Sequence, residues 1–186
     1  MMNRPFFRTV AESESTITEL MIPSYANFGG KVHGGILLSL MDKVAYVCAS
    51  KHFGGYCVTV AVDGVEFLHP VEVGELVSLK ASVNYVGRTS MIIGIRVEAL
   101  QPKTGRLTHT NSCYFTMAAK DENGQLAEVP GLLLRSKEEL RRFCEGKELK
   151  DFSRKKRAML RSDLQHLTDN DLIEMAKEEK CVLEIG

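Results

Sequence analysis

Apolar and polar positions change period along this chain. From Ile36 to Ala49 the sequence reads Ile-Leu-Leu-Ser-Leu-Met-Asp-Lys-Val-Ala-Tyr-Val-Cys-Ala. The run is too long for one strand and lacks Gly and Pro, so it predicts a helix. Being apolar on most faces, that helix is expected to be buried. After Gly54-Gly55 the period drops to two. Val58, Val60 and Val62 alternate with Thr59, Ala61 and Asp63. Between Leu76 and Val86, the residues Val77, Leu79, Ala81, Val83 and Tyr85 alternate with Ser78, Lys80, Ser82 and Asn84. Met91, Ile93, Ile95, Val97 and Ala99 form the apolar side of the next strand, and Leu107 to Ala119 a last one that Asp121-Glu-Asn-Gly124 ends. Turns fall at Gly87-Arg88 and at Pro102 to Gly105. Upstream, Ser15 to Ile22 predicts a first strand, which Pro23 stops. Period-two strands joined by short turns predict an antiparallel sheet with one face covered. The single long apolar helix is available to cover it, which makes the expected class α+β, a sheet wrapped around a central helix.

Past Pro130 the composition shifts. Ser136-Lys-Glu-Glu139 is a capping-box pattern and predicts a helix from about Lys137 to Glu145. A basic run, Arg154-Lys-Lys-Arg157 with Arg161 nearby, follows, and Thr168-Asp-Asn-Asp171 can cap a short final helix. The expected organisation is an N-terminal segment 1–13, a core domain 14–132 and a C-terminal helical extension 133–186. With 24 basic and 24 acidic residues, no nucleic-acid partner is expected. Asp42 and Lys43 interrupt the longest apolar stretch, so no membrane span is expected, and Met1 to Phe7 lacks the apolar core of a signal peptide. The five cysteines, Cys48, Cys57, Cys113, Cys144 and Cys181, form neither a CxxC nor a Cys/His cluster. That predicts reduced thiols, a cytoplasmic location and no metal site.

The candidate chemistry sits in the helix and just before it. Asp42 is an acid within an apolar run, expensive to bury unless compensated. Gly35, Ser39, Asp42 and Tyr46 are spaced to share one face. The free N–H groups at the helix start can bind an anion or a developing oxyanion. A helix tip and a carboxylate on one face suit ester chemistry. Each candidate also has a structural reading: Asp42 as a buried acid holding its neighbours, Asn27 as a turn residue, His33 as a structural imidazole, and Gly34 and Gly35 as packing glycines. The turn Gly87-Arg88-Thr89-Ser90 is either a hairpin turn or a phosphate contact. Arg154 to Arg161 reads as a solvated face or as a contact for an anionic partner. No Gly-x-Ser-x-Gly elbow is present, which argues against a serine-hydrolase triad.

Taken in order, Asn27, Val32-His33-Gly34-Gly35, Met41-Asp42, Val58-Thr59, Val65-Glu66-Phe67, Pro70, Gly74, Gly87 to Met91 and Val129-Pro130 resemble the hotdog-fold acyl-CoA thioesterases of the cytosolic acyl-CoA hydrolase type. The resemblance covers roughly residues 14 to 132. It implies a hotdog dimer, often a trimer of dimers, that hydrolyses acyl-CoA to a fatty acid and coenzyme A without a metal or redox cofactor. It implies catalysis by Asn27 and Asp42 from different subunits, with Gly35 as oxyanion donor and His33 beside it. Gly34, Thr59, Arg88 and Ser90 would then contact substrate. Two rival classes share the pocket: a hotdog hydratase or dehydratase, for which no His-Phe-Pro-Gly signature is found, and a non-catalytic acyl-CoA-binding protein. The tail lies outside the resemblance.

Overall fold

The structure is a computed structural model that describes residues 7–177 and 179–184, with the backbone alone for 160–165. The N-terminal residues 1–6 and the Arg161 side chain named above therefore lie outside the described parts. The chain divides into two compact units, Met1–Lys147 and Glu148–Gly186.

In the first unit, five strands make one antiparallel sheet: β2 (Ser15–Leu20), β3 (Cys57–Phe67), β4 (Leu76–Val86), β5 (Ser90–Gln101) and β6 (Arg106–Ala119), in the order β2-β4-β5-β6-β3. The long helix α1 (Gly34–Phe53) packs on the inner face. Leu37, Leu40, Met41, Val44, Ala45, Cys48 and Phe53 of α1 share a core with Leu79, Val83, Ile93, Phe115 and Met117 of the sheet. The predicted helix and all five strands are present. α1 ends at Gly54, whose φ of 76° is the left-handed conformation that glycine adopts most easily.

Two departures from the expected pattern matter for the site. The first lies in β3, where Thr59 pairs with Met117 but Ala61 pairs with Thr116, so Val60 is an extra residue, a bulge. Strict alternation would put Val58, Val60 and Val62 on one side. The bulge instead turns Thr59 and Val62 to the helix side, opposite the inward Met117 and Phe115. The second departure is that α1 is covered on one face only. Gly35, Leu38, Ser39, Asp42, Lys43, Tyr46 and Val47 are exposed, so Asp42 is not the buried acid that the apolar run predicts. A sheet can shield only the side of a helix that lies against it.

A parallel pair of short strands, β1 (Phe7–Thr9) and β7 (Gly131–Leu133), was not foreseen. Gly131 lies under the Phe7 ring, and a Cβ there would sit 2.5 Å from it. Helix α2 (Lys137–Gln165) starts in the first unit. It begins as a capping box: the Glu139 N–H donates to Ser136 Oγ at 3.1 Å, and Glu139 accepts from the Arg135 N–H. It runs twenty residues beyond Glu145, the predicted end. Pro is absent from that stretch and strong helix formers such as Lys, Glu, Arg and Leu are frequent, so nothing stops it. In the second unit α3 (Asp169–Lys177) follows the predicted cap, with the Asp171 N–H donating to Thr168 Oγ1 at 3.3 Å and the Thr168 N–H to Asp171 Oδ2 at 2.8 Å. No helix of the described residues is long and apolar enough to cross a membrane.

Candidate functional site

The open flank between α1 and the edge strand β3 gathers most of the candidate residues. Gly34, Leu38 and Asp42 are spaced by four and form one row along the helix. On β3, Phe67 and Thr59 meet the two ends of that row, and the register puts Val62 on the same side of the strand. The two rows meet at both ends. A Cβ built on Gly34 would lie 3.3 Å from the Phe67 ring, and the Thr59 hydroxyl donates to Asp42 Oδ1 at 2.6 Å. Thr59 Oγ1 also lies 3.3 Å from Met117 Sδ. Between these ends the groove is apolar and open, with Leu38 37%, Val62 44% and Phe67 53% exposed. The bond to Thr59 ties up one carboxylate oxygen of Asp42 and leaves Oδ2 without a partner among the described residues.

At the tip of α1, His33 is the N-cap residue, and its Nδ1 accepts the Gly35 N–H at 2.8 Å. Nδ1 therefore carries no proton in this arrangement, which puts the proton of the neutral ring on Nε2. Gly35 must be glycine for the ring to sit there, since a Cβ would be 2.9 Å from Nδ1. The amide expected to bind an oxyanion is thus held by the cap of its own helix. The Gly34 N–H makes no hydrogen bond among the described residues.

Asn27 lies in the loop that enters the tip. Its Oδ1 accepts from the Gly29 N–H at 2.8 Å and the Lys31 N–H at 3.2 Å, an Asx turn. The loop is closed by the Asn27 N–H to Lys31 O bond at 2.7 Å and docked by a Lys31–Glu72 ion pair. Asn27 is therefore a turn residue, with a side-chain NH2 that no described residue engages. No contact within the chain joins Asn27 to Asp42.

The Gly87 to Ser90 turn stands at the Asp42 end of the groove. Met91 pairs with Met117, which pairs with Thr59, so the turn is about two strand spacings, or roughly 10 Å, from Thr59. Arg88 is exposed, and its carbonyl accepts from the Val129 N–H at 3.0 Å. The pleat sends Ser90 to the face opposite Met91, away from Asp42. Thr59 is the residue whose place sequence reasoning located least well. It was expected only as a substrate contact, and the bulge that lets it face the helix together with Val62 leaves no pattern in the sequence. Phe67, Val62 and Leu38 were not foreseen as groove residues. Among the described residues no three His, Cys, Asp or Glu side chains cluster as a metal site.

Residues 29–106 match the thioesterase superfamily. The chain is 45% identical over 135 residues to protein VdlD of Helicobacter pylori, an alignment spanning 73% of this chain and 77% of that protein. It is 30% identical over 139 residues to an uncharacterized acyl-CoA thioester hydrolase, YkhA, of Bacillus subtilis, covering 75% and 81% of the two chains. Among solved structures it resembles an apo-hexameric acyl-CoA thioesterase with a TM-score of 0.79 and 34% identity, over 83% of this chain and 98% of that one.

Proposed function

We infer the chemistry of this chain from one premise: it belongs to the thioesterase superfamily, shares its hotdog fold, and is an acyl-CoA thioester hydrolase. The reaction splits the thioester with water, giving a carboxylic acid and the thiol of coenzyme A. We propose that Asp42 is the acting carboxylate, with Oδ2 either drawing a proton from the attacking water or attacking the carbonyl itself. Thr59 holds the other oxygen and fixes the orientation of the carboxylate.

One geometric observation carries the rest. Gly35 and Asp42 are seven residues apart on one helix, about 10 Å at roughly 1.5 Å per residue. A reacting carbonyl needs its carbon about 3–3.5 Å from the attacking atom and its oxygen about 3 Å from the stabilising N–H. For direct attack these distances sum to under about 8 Å, too short for one helix to offer both groups, and with a water between them they only just reach about 10 Å in a straight line. This favours the helix tip of one chain working with the partner's Asp42. Asn27, in the loop that feeds the tip, then falls on the same side of the shared site as Gly34 and Gly35. On this reading the tip supplies oxyanion donors: the Gly34 N–H directly, and the Gly35 N–H when the thioester oxygen displaces His33 Nδ1. Asn27 positions the nucleophile or the thioester. Arg88 stands at the rim for the phosphates of coenzyme A.

The same reading makes the protein a homo-oligomer whose smallest active unit is a dimer. The hexameric relative supports a trimer of dimers, and the exposed apolar face of α1 with the open edge of β3 is a surface that a second copy would cover. The test is release of free thiol from a series of acyl-CoAs, acetyl to palmitoyl. Wild-type protein is expected to release coenzyme A from at least part of the series. Asp42→Asn should lose turnover while keeping its fold and its affinity for acyl-CoA. Full activity in that variant would make Asp42 a structural acid and contradict the mechanism.

A further inference from the structure

On the sheet face opposite α1, away from Asp42, lies a cavity of about 580 Å³. It is well inside the 300–1,000 Å³ range of small-molecule sites. Its floor is the strand rung Ser82–Gly94–Tyr114. Gly94 in the middle has no side chain, and Asn84 crosses the gap. A Cβ on Gly94 would lie 2.3 Å from Asn84 Nδ2. The sequence aims Asn84 there through a second bulge, since Val83 pairs with Ile93 but Tyr85 with Ile92. Ser82 and Asn84 are only 7% and 6% exposed. The Ser82 hydroxyl donates to Asn84 Oδ1 at 2.9 Å. That bond fixes the amide and leaves Nδ2, a donor without a partner among the described residues, turned toward the cavity. The amide is thus presented to the cavity from a side chain held in place by its strand and by Ser82.

The walls carry further donors. On one side, the first turns of α2 are seated on Tyr85, whose ring lies 5.0 Å from that of Phe143 and whose Cβ is 2.7 Å from the place of a Cβ on Gly146. This stretch supplies Arg141 and Arg142. Arg141 is tied to Glu138 and Glu145. Arg142 uses only Nε, donating to Glu138 at 2.9 Å, which leaves its terminal nitrogens without partners among the described residues. On the other side, Glu98 holds Lys80 at 2.6 Å and Arg96 Nε at 2.7 Å, which leaves the terminal nitrogens of Arg96 in the same condition. Lys80, Arg96, Arg141 and Arg142 line the cavity with Glu14 and Glu145, and Glu98 and Glu138 balance their charge from behind, so the walls offer free guanidinium ends rather than an excess of positive charge.

We propose that this cavity is a second binding site and takes a small phosphate monoester bearing hydroxyl groups. Donors from the floor and from two walls suit a tetrahedral oxyanion better than a planar carboxylate, and free guanidinium ends are strong phosphate partners. The cavity exceeds the size of phosphate alone. Glu14, Glu145, Ser15 and Thr16 at its margin offer acceptors for hydroxyls on the rest of the ligand.

The test is calorimetric titration of the full-length protein with ribose 5-phosphate, inorganic phosphate and ribose. Ribose 5-phosphate is expected to bind saturably, phosphate more weakly, and ribose not at all. Arg142→Ala and Asn84→Asp should each weaken ribose 5-phosphate binding tenfold or more. Asp42→Asn, on the other face, should bind it as wild type does, which separates this site from the hydrolytic one. Arg142 lies on a helix surface, so its variant keeps the test open if Asn84→Asp does not fold. No saturable binding of ribose 5-phosphate by folded wild-type protein, or unchanged affinity in Arg142→Ala, would overturn the proposal.

Discussion

Asp42 and Thr59 form the pair on which the proposed chemistry turns. Thr59 contributes one O–H to one carboxylate oxygen at 2.6 Å, and its valine analogue keeps the shape while removing the donor. A hydrogen bond to a charged group contributes about 1.5–3 kcal/mol, or roughly 10- to 100-fold in rate if the bond matters most when Asp42 acts. Thr59→Val should therefore lower kcat by about that factor and move KM less, and Thr59→Ser should recover most of the loss. Steady-state thiol release checks this, and a wild-type kcat in Thr59→Val would remove Thr59 from the mechanism. Asp42 was legible in the sequence because it is the one acid inside an apolar helix. Its exposure was not, because that depends on which faces of the helix the sheet covers. Thr59 pairs with it across 16 residues of intervening chain, and the Val60 bulge lets Thr59 and Val62 face the helix together.

At the level of elements, the central helix and the strands β4, β5 and β6 were readable from their periods, since each buries a full face in the core. The β1/β7 pair was not: three residues carry too little alternation, and the partners lie more than 120 positions apart in sequence. What the pair does is seen at the C-terminus of α1. The Arg8 guanidinium donates to the Lys51 carbonyl, placing a cation at the negative end of the helix dipole. His52, fully buried, hydrogen-bonds the Pro130 carbonyl at 2.9 Å through Nε2 while its Nδ1 has no partner among the described residues. Burial, with the nearby Arg8 charge, holds the His52 pKa below its ordinary 6.5. The neutral ring is therefore the folded form, and unfolding takes up a proton at acid pH. The stability this residue contributes is complete above about pH 6.5 and is lost as the pH falls toward the lowered folded value. His52→Gln should flatten that part of the curve of Tm against pH below about 6.5. An unchanged slope in the variant would place the acid sensitivity elsewhere. The same logic of local signal explains α2: its start was marked by a capping box, while its end has no stop residue to read.

For the whole molecule, the surfaces left open are those that a second copy would need. Along the β3 edge Val60, Val62, Phe67 and Leu68 are 54%, 44%, 53% and 47% exposed, beside Leu38, Tyr46 and Val47 of α1. Edge strands with exposed apolar residues pair with other chains unless they are blocked. The seven-residue separation of Gly35 from Asp42 favours the same arrangement from the chemistry. The most direct test is a heterodimer of Asn27→Ala and Asp42→Asn chains, co-expressed with different tags and purified through both. Each parent homodimer should be inactive. In the mixed dimer one site joins the two altered residues and the other joins intact Asn27 to the partner's intact Asp42. The account predicts thiol release at about half the wild-type rate, one complete site of two. A heterodimer as inactive as its parents would put both residues in one chain's site and contradict the shared-site mechanism.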